Sequence, residues 1–311
     1  RPVLPVFWVA SEDHDWEEAD HTYVINTANE LIRLQVPDPG HIKRALHRIP
    51  LGEEITDVVE QAAQNLPGTD FSTPYVDQLR KAYKPGVTLA DGFTEVLSSL
   101  LAPLGMCFAD AASSAVKELS GPLLLEELGR AEAHEALLRE DADKLADAGY
   151  SAQVPILDGA VNLFLEGPKG RERIYRNGSD FELRRSRESV SAVAVRERAE
   201  ADPLTLSPNV LLRPEVESTI FPVISYVAGP GETAYYAQIK RLFMAHGLMM
   251  PVIYPRHSVA VVEARIRRKL DKLGLDLEGL QRPFHEIMSD MARDEMPEDV
   301  RQALGKLESD V

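Results

Sequence analysis

The sequence predicts an α/β protein whose core is a mostly parallel sheet. Three observations carry this: Val6-Phe7-Trp8-Val9-Ala10 is a continuous apolar, β-prone run, Met106-Cys107-Phe108-Ala109 is a second behind a helix-spaced stretch, and 220–254 runs strand, helix, strand. Unbroken apolar runs suit strands covered on both faces, as in parallel sheets, whereas half-solvated strands alternate. At 311 residues and 44% hydrophobic, the chain can bury a sizeable core in more than one packing unit.

The first strand is expected at Val6 to Ala10, its carboxyl end pointing at Ser11-Glu12-Asp13-His14-Asp15. The opening Arg1-Pro2-Val3-Leu4-Pro5 lacks a Met and reads as the approach to a core strand rather than a signal peptide, so an upstream part is expected to be missing. Leu89 to Leu101 carries helical spacing and leads through Pro103 and Gly105 into the second strand, with Asp110 at its end. From Ser113 to Ala148 the Leu and Ala spacing is helical, and Gly121-Pro122 predicts a break into two helices.

Short alternating runs follow, Val161 to Glu166 and Arg173 to Tyr175, punctuated by Gly167-Pro168-Lys169-Gly170 and Asn177-Gly178. They predict a small antiparallel hairpin or meander. Ile220 to Ala228 returns to the buried-strand pattern, Gly229-Pro230-Gly231 turns, Glu232 to Ala245 reads as helix, and Met250 to Tyr254 as strand. Such a unit is expected to be parallel and right-handed. After His257, apolar residues at Val261, Ala264, Ile266, Leu270, Leu273 and Leu277 predict a long amphipathic helix, interrupted at Gly274 and Pro283. The expected organisation is a first core part with a helical insertion over 1–152, a β-rich insertion over 153–186, a second core part over 187–258, and a helical region over 259–311.

A net charge of −16 supplies no electrostatic attraction to phosphate backbones or anionic lipid, so nucleic-acid and membrane partners are not expected. The apolar run Val3 to Ala10 is far shorter than the roughly 20 residues a membrane span needs. A single cysteine, Cys107, cannot form an internal disulfide, which points to the reducing cytoplasm. It reads as a small buried hydrophobe.

The densest chemistry lies in Ser11-Glu12-Asp13-His14-Asp15, because open α/β sheets bind ligands beyond the carboxyl ends of their strands. An imidazole among carboxylates suits proton removal from an attacking ammonium group, and the carboxylates can hold that cation or a metal. The plainer alternative is a solvated helix start with Ser11 or Asp13 as N-cap. A second candidate joins Ser207-Pro208-Asn209-Val210-Leu211-Leu212-Arg213-Pro214 to Gly229-Pro230-Gly231-Glu232. Glycines before a helix let backbone N–H groups meet a phosphate or carboxylate, although two glycines in a turn more often answer a steric need. Arg213 offers a bidentate carboxylate clamp, or a plain surface ion pair. Arg256-His257 follows a strand at the same edge, and of Tyr235 and Tyr236 one can face the site while the other packs. His21, His41, His47, His134 and His246 show no ligand spacing, so a structural zinc is not expected.

These segments, Pro5 to Asp15, Ser207 to Pro214, Phe221-Pro222 and Gly229-Pro230-Gly231-Glu232-Thr233-Ala234-Tyr235-Tyr236, together resemble the bacillithiol synthase (cysteine ligase) family, in the family's order and over nearly the whole chain. The resemblance implies a Rossmann-like parallel-sheet core with connecting insertions and a C-terminal α-helical coiled coil that makes a homodimer. It implies an enzyme that joins the carboxyl of L-cysteine to the amine of glucosaminyl malate, completing bacillithiol, with ATP or ADP as the bound nucleotide. Carried onto this chain, Ser11, Glu12, Asp13, His14, Asp15, Asn209, Arg213, Gly229, Gly231 and Glu232 would line the cleft, joined by Tyr235 and Arg256. The expected roles are His14 as base, Asp13 and Asp15 as its orienting or ammonium-binding partners, and Arg213 as carboxylate clamp. Two rivals stand beside this: a nucleotidyl transferase on the same core, and a non-catalytic dimerising module.

Overall fold

The computed structural model describes residues 3–300 apart from 39, 41, 42, 295 and 298. Arg1, Pro2, His41 and residues 301–311 of the expected helical region therefore lie outside the described residues. The chain forms one compact unit up to Arg256 and a second from His257 onward.

Strand β1 (Val6–Val9) leads into the short helix α1 (Trp16–Ala19) and an antiparallel hairpin of β2 (His21–Ile25) and β3 (Leu31–Gln35). Three helices follow, α2 (Glu54–Asn65), α3 (Ser72–Ala82) and α4 (Leu89–Leu101), the last opened by a Thr88/Asp91 capping box. Strand β4 (Cys107–Asp110) then pairs parallel with β1, Val6 opposite Cys107 and Val9 opposite Asp110. The expected parallel pair is present, but not covered on both faces. Only Val9 is buried, Val6 is exposed, and Cys107 is exposed rather than packed inside, because each strand has one paired neighbour among the described residues.

Helix α5 (Ser114–Asp147) is continuous where two helices were expected. Pro122 sits inside it, at a cost of about 3 kcal/mol for the lost N–H and the ring clash. The residues that follow decide the balance: Leu123, Leu124, Leu128 and Leu138 are buried against β-strand side chains. Each contributes about 1.5–3 kcal/mol, so packing outweighs the local break.

The β-rich segment is larger than a hairpin insertion. Strands β5 (Ala160–Gly167), β6 (Gly170–Asn177), β7 (Asp180–Leu183) and β8 (Ser189–Val190), then helix α6 (Ala192–Ala201) and strand β9 (Leu206–Pro208), build a five-stranded antiparallel sheet in the order β8-β7-β6-β5-β9. The largest sheet is thus antiparallel, not parallel, because tight turns join its strands. Leu163, Leu165, Ile174 and Leu183 on its inner face are fully buried against α5 and form the centre of the main core. Gly170 is required where β6 begins: its φ is +82°, and an added Cβ would stand 2.2 Å from the Lys43 carbonyl.

Helix α7 (Arg213–Ile220) follows, then β10 (Ser225–Ala228), which pairs parallel with β11 (Val252–Pro255), the expected arrangement. Both strands are shorter and more exposed than the apolar pattern implies; Val227 and Val252 face outward. The connecting helix is split into α8 (Pro230–Tyr236) and α9 (Lys240–Ala245). The break lets the fully buried Gln238 amide pair with both backbone groups of Val154 at 2.9 Å. The second unit holds α10 (Ala264–Leu273), closed by Gly274 in the left-handed conformation, and α11 (Phe284–Asp294), which starts after Pro283. These are separate short helices rather than one long one, each amphipathic in sequence.

Candidate functional site

The β1–β4 pair delivers the acidic cluster to one place. Ser11 is buried and its hydroxyl donates to Asp110 at the end of β4, whose Oδ1 also accepts the Ala112 N–H at 2.9 Å. Glu12 is buried too, neutralised by the Lys117 ammonium, which also donates to the Leu206 carbonyl. Ser11 and Glu12 therefore hold the turn, while Asp13 and Asp15 stay about half exposed, at 52% and 48%. Asp15, not Ser11 or Asp13, occupies the N-cap of α1, and its side chain makes no capping bond.

A residue that the sequence reading did not single out organises this cluster. Arg171, on β6, is almost fully buried; it donates from Nε to Ser207 at 2.9 Å, from one Nη to the Pro208 carbonyl at 2.8 Å, and from the other to His14 Nδ1 at 3.0 Å. Its guanidinium lies 3.9 Å over the Phe164 ring, against which His14 also packs. Burial disfavours its charge, and the carboxylates of Asp13, Glu12 and Asp15 support it. Asp13 shows the reverse effect: burial would raise its carboxyl, but the His14 backbone N–H, which donates to it at 2.7 Å, and the Arg171 charge hold it below its ordinary value.

Arg171 also settles what His14 presents. The Nδ1 atom lies 3.0 Å from a guanidinium N–H and 3.4 Å from Asp13 Oδ1, and the closer group can only donate. Nδ1 is thus the acceptor and Nε2 carries the proton, so in this geometry the expected base offers an N–H. Asp13, His14 and Asp15 bring one ligand atom each within 4.8 Å of one another, so the same cluster could hold a cation.

The opposite tautomer is found at His21. Its Nδ1 lies 2.6 Å from Asp20 Oδ1, and Gln35 donates to the other Asp20 oxygen at 2.7 Å. Burial would raise the Asp20 carboxyl, but these two bonds prevail and hold it below its ordinary value. An ionised carboxylate only accepts, so His21 Nδ1 carries the proton and Nε2 keeps its lone pair. Asp20 and His21 line a cavity of about 610 Å³ together with Val9, Ala10 and Ser11. The only signal in the sequence is the adjacency Asp20-His21 at a strand start.

The second expected cluster assembles around Arg213. Its guanidinium donates to the Tyr235 hydroxyl at 2.6 Å and lies 3.4 Å from Glu217 and 3.5 Å from Glu232. Tyr226 donates to Glu232 at 2.8 Å, while Tyr236 packs against Tyr226 and Phe243. The glycine turn caps itself: the Gly229 N–H donates to Glu232 at 2.9 Å, so a carboxylate already stands where an anion was expected. Arg256 lies against Gly229, 3.0 Å from where a Cβ would be; at Gly231 a Cβ would meet only Gln153, at 3.9 Å. Asn209 is structural, buried, with Oδ1 accepting the Leu211 and Leu212 N–H groups at 3.0 Å. The two clusters flank the segment from Pro208, which binds Arg171, to Arg213, and the cavity beside Ser11 is lined by neither His14 nor Arg213.

Glu217 is buried, and burial, only partly offset by Arg213, pushes its carboxyl up to about 7. The folded state therefore holds a proton that the unfolded state releases above about pH 4.5, and stability falls as pH rises from there to 7. Glu217→Gln lacks this slope. Denaturant titrations at pH 5 and pH 8 are expected to show the variant gaining about 2–3 kcal/mol on the wild type across that range; parallel losses would refute the assignment.

The fold and site define an α/β protein with a ligand-type polar cluster at the carboxyl ends of a parallel strand pair. Residues 1–257 match the family described as bacillithiol biosynthesis BshC, N-terminal Rossmann-like domain, and the chain belongs to that family. It is 36% identical over 302 residues to a protein of Salinibacter ruber, covering 96% of this chain and 55% of that protein. It is also 32% identical over 280 residues to one of Chlorobaculum tepidum, covering 87% and 48%, and 29% identical over 299 residues to one of Koribacter versatilis, covering 95% and 54%. All three carry the name "Putative cysteine ligase BshC". The chain spans about half the length of these relatives. Among the described residues, no helix is long and apolar enough to cross a membrane.

Proposed function

We propose that this chain is the Rossmann-like part of a cytoplasmic ligase that joins the L-cysteine carboxyl to the glucosaminyl malate amine, the last step of bacillithiol formation. The observation that carries the reading is the polar cluster Ser11 to Asp15 at the ends of β1 and β4, beside the cavity that Asp20 and His21 line. In this reading the exposed carboxylates of Asp13 and Asp15 hold the incoming ammonium, and His14 donates from Nε2. The deprotonating group is His21, whose Nε2 takes one proton from that ammonium; the freed amine attacks a cysteine carboxyl already activated as a phosphate-type ester by a nucleoside triphosphate, and that phosphate group departs with the C–O electron pair. Arg213, Glu232 and Arg256 form a second contact region, which an anionic group enters only by displacing the Glu232 carboxylate or the Tyr235 hydroxyl. The Gly229 N–H already donates to Glu232, so in this reading the glycine turn does not hold the phosphates of ATP or ADP. A homodimer built through a coiled coil belongs to the same reading.

The test is mass-spectrometric detection of bacillithiol made by the full-length protein from glucosaminyl malate and cysteine, with and without ATP. Product is expected from the wild type, and about 10²–10⁴-fold less rate from His21→Gln. A His21→Gln enzyme at full rate would remove the base. Pyrophosphate release without cysteine would favour the transferase.

A further inference from the structure

We propose that His134 and His246, with Glu127 orienting the first of them, form a binding site for one divalent transition-metal ion of the zinc class, separate from the polar cluster at the ends of β1 and β4. Sequence spacing hides this site, because His134 lies within α5 and His246 just past the end of α9, 112 positions later. Folding places their imidazole rings 4.7 Å apart at 70° to one another. Each of the three residues offers a ligand atom, and these atoms lie within 4.8 Å of one another.

The donor set is ordered around a metal-type arrangement. Glu127 and His134 are fully buried. Glu127 Oε1 is fixed by the Asn162 backbone N–H at 3.2 Å and its Nδ2 at 3.0 Å, and its Oε2 accepts a hydrogen bond from His134 Nδ1–H. That bond leaves the lone pair of His134 on Nε2, the arrangement in which a carboxylate orients a metal-ligating imidazole. Yet Nε2 of His134 and both ring nitrogens of His246 are shielded from solvent without a hydrogen-bond partner among the described residues.

Buried imidazole nitrogens without partners are costly unless a cation or a donor reaches them. The nearest cation does not satisfy them, because Arg130 is already paired with Glu126 at 2.7 Å and bonded to the Ala245 carbonyl. Two imidazoles, one of them oriented by a carboxylate on its other nitrogen, match the ligand preference of Zn²⁺, and nitrogen ligands disfavour Mg²⁺ and Ca²⁺ as occupants. The ion would tie the end of α9 to the middle of α5, where the Arg130 guanidinium already reaches the Ala245 carbonyl.

The experiment uses untagged full-length protein stripped with a chelator and titrated with Zn²⁺ against a chromophoric competitor, and with Co²⁺ by visible absorption. His246 is only half-buried, so His246→Ala retains the fold, as its circular dichroism would verify. The wild type is expected to take up one Zn²⁺ more than His246→Ala, and to give tetrahedral Co²⁺ bands that the variant lacks. Glu127→Gln is expected to weaken that equivalent by about 10–100-fold, as loss of an orienting carboxylate does. Equal stoichiometry and affinity in wild type and His246→Ala would overturn the site, including the case where all bound metal sits at Asp13, His14 and Asp15.

Discussion

Lys117→Met is expected to destabilise the protein by about 3–5 kcal/mol, because it leaves the Glu12 carboxylate buried with no counter-charge. Lys117 is 3% exposed and its ammonium serves two acceptors from distant segments, Glu12 in the turn after β1 and the Leu206 carbonyl at the start of β9. The contact therefore ties the end of β1 to the five-stranded sheet through α5. A buried pair need not add net stability over an apolar pair, since both ions lose their hydration. The asymmetry gives the test: Glu12→Gln added to Lys117→Met removes the stranded charge and should restore more than half of the loss. Urea unfolding of wild type, both single variants and the double variant supplies the cycle. Additive losses would show that the two side chains do not pair.

The parts of the fold legible in the sequence are those set by local pattern. The runs Val6 to Ala10 and Met106 to Ala109 announced a parallel pair, and Asn177-Gly178 marked the turn between β6 and β7. What misled was local chemistry overruled at a distance. Pro122 signals a break, but the leucines after it are claimed by the main core, so α5 runs on. Gln238 looks like an ordinary helix residue, yet its amide is needed by Val154, 84 positions earlier, and the helix divides there.

The candidate site divides the same way. Ser11 to Asp15 is conspicuous because a dense polar run follows an apolar strand, and that is where the structure gathers polar side chains. The groups that determine its protonation were not conspicuous. Arg171 stands in a Gly-Arg-Glu-Arg run that reads as a solvated strand, and only the β6 register turns it toward His14, 157 positions away. Arg213 was visible as a cation beside glycines, but not that Tyr235, Glu217 and Glu232 already surround it.

Arg171→Met is the second large effect. Three bonds disappear together, to Ser207, the Pro208 carbonyl and His14 Nδ1, in a place with almost no water to replace them. Leaving buried acceptors unpaired costs about 1–3 kcal/mol each, so a loss of roughly 3–5 kcal/mol is expected after partial relaxation. A structural loss alone would not identify Arg171 as the group that positions the cluster; the His14 ring can. With its donor gone, Nδ1 is expected to take the proton, drawn by Asp13 at 3.4 Å, and Nε2 to lose it. The ¹⁵N shifts of His14 report that exchange directly, in folded protein and without substrate. Displaced polar groups of this kind lower turnover by about 10²-fold, so under the proposed function the full-length variant should lose product formation by that factor even where the protein is still folded. If the ¹⁵N shifts of His14 were unchanged in Arg171→Met, the guanidinium would not be setting its tautomer, and His14 would again compete with His21 as the group that accepts the amine proton.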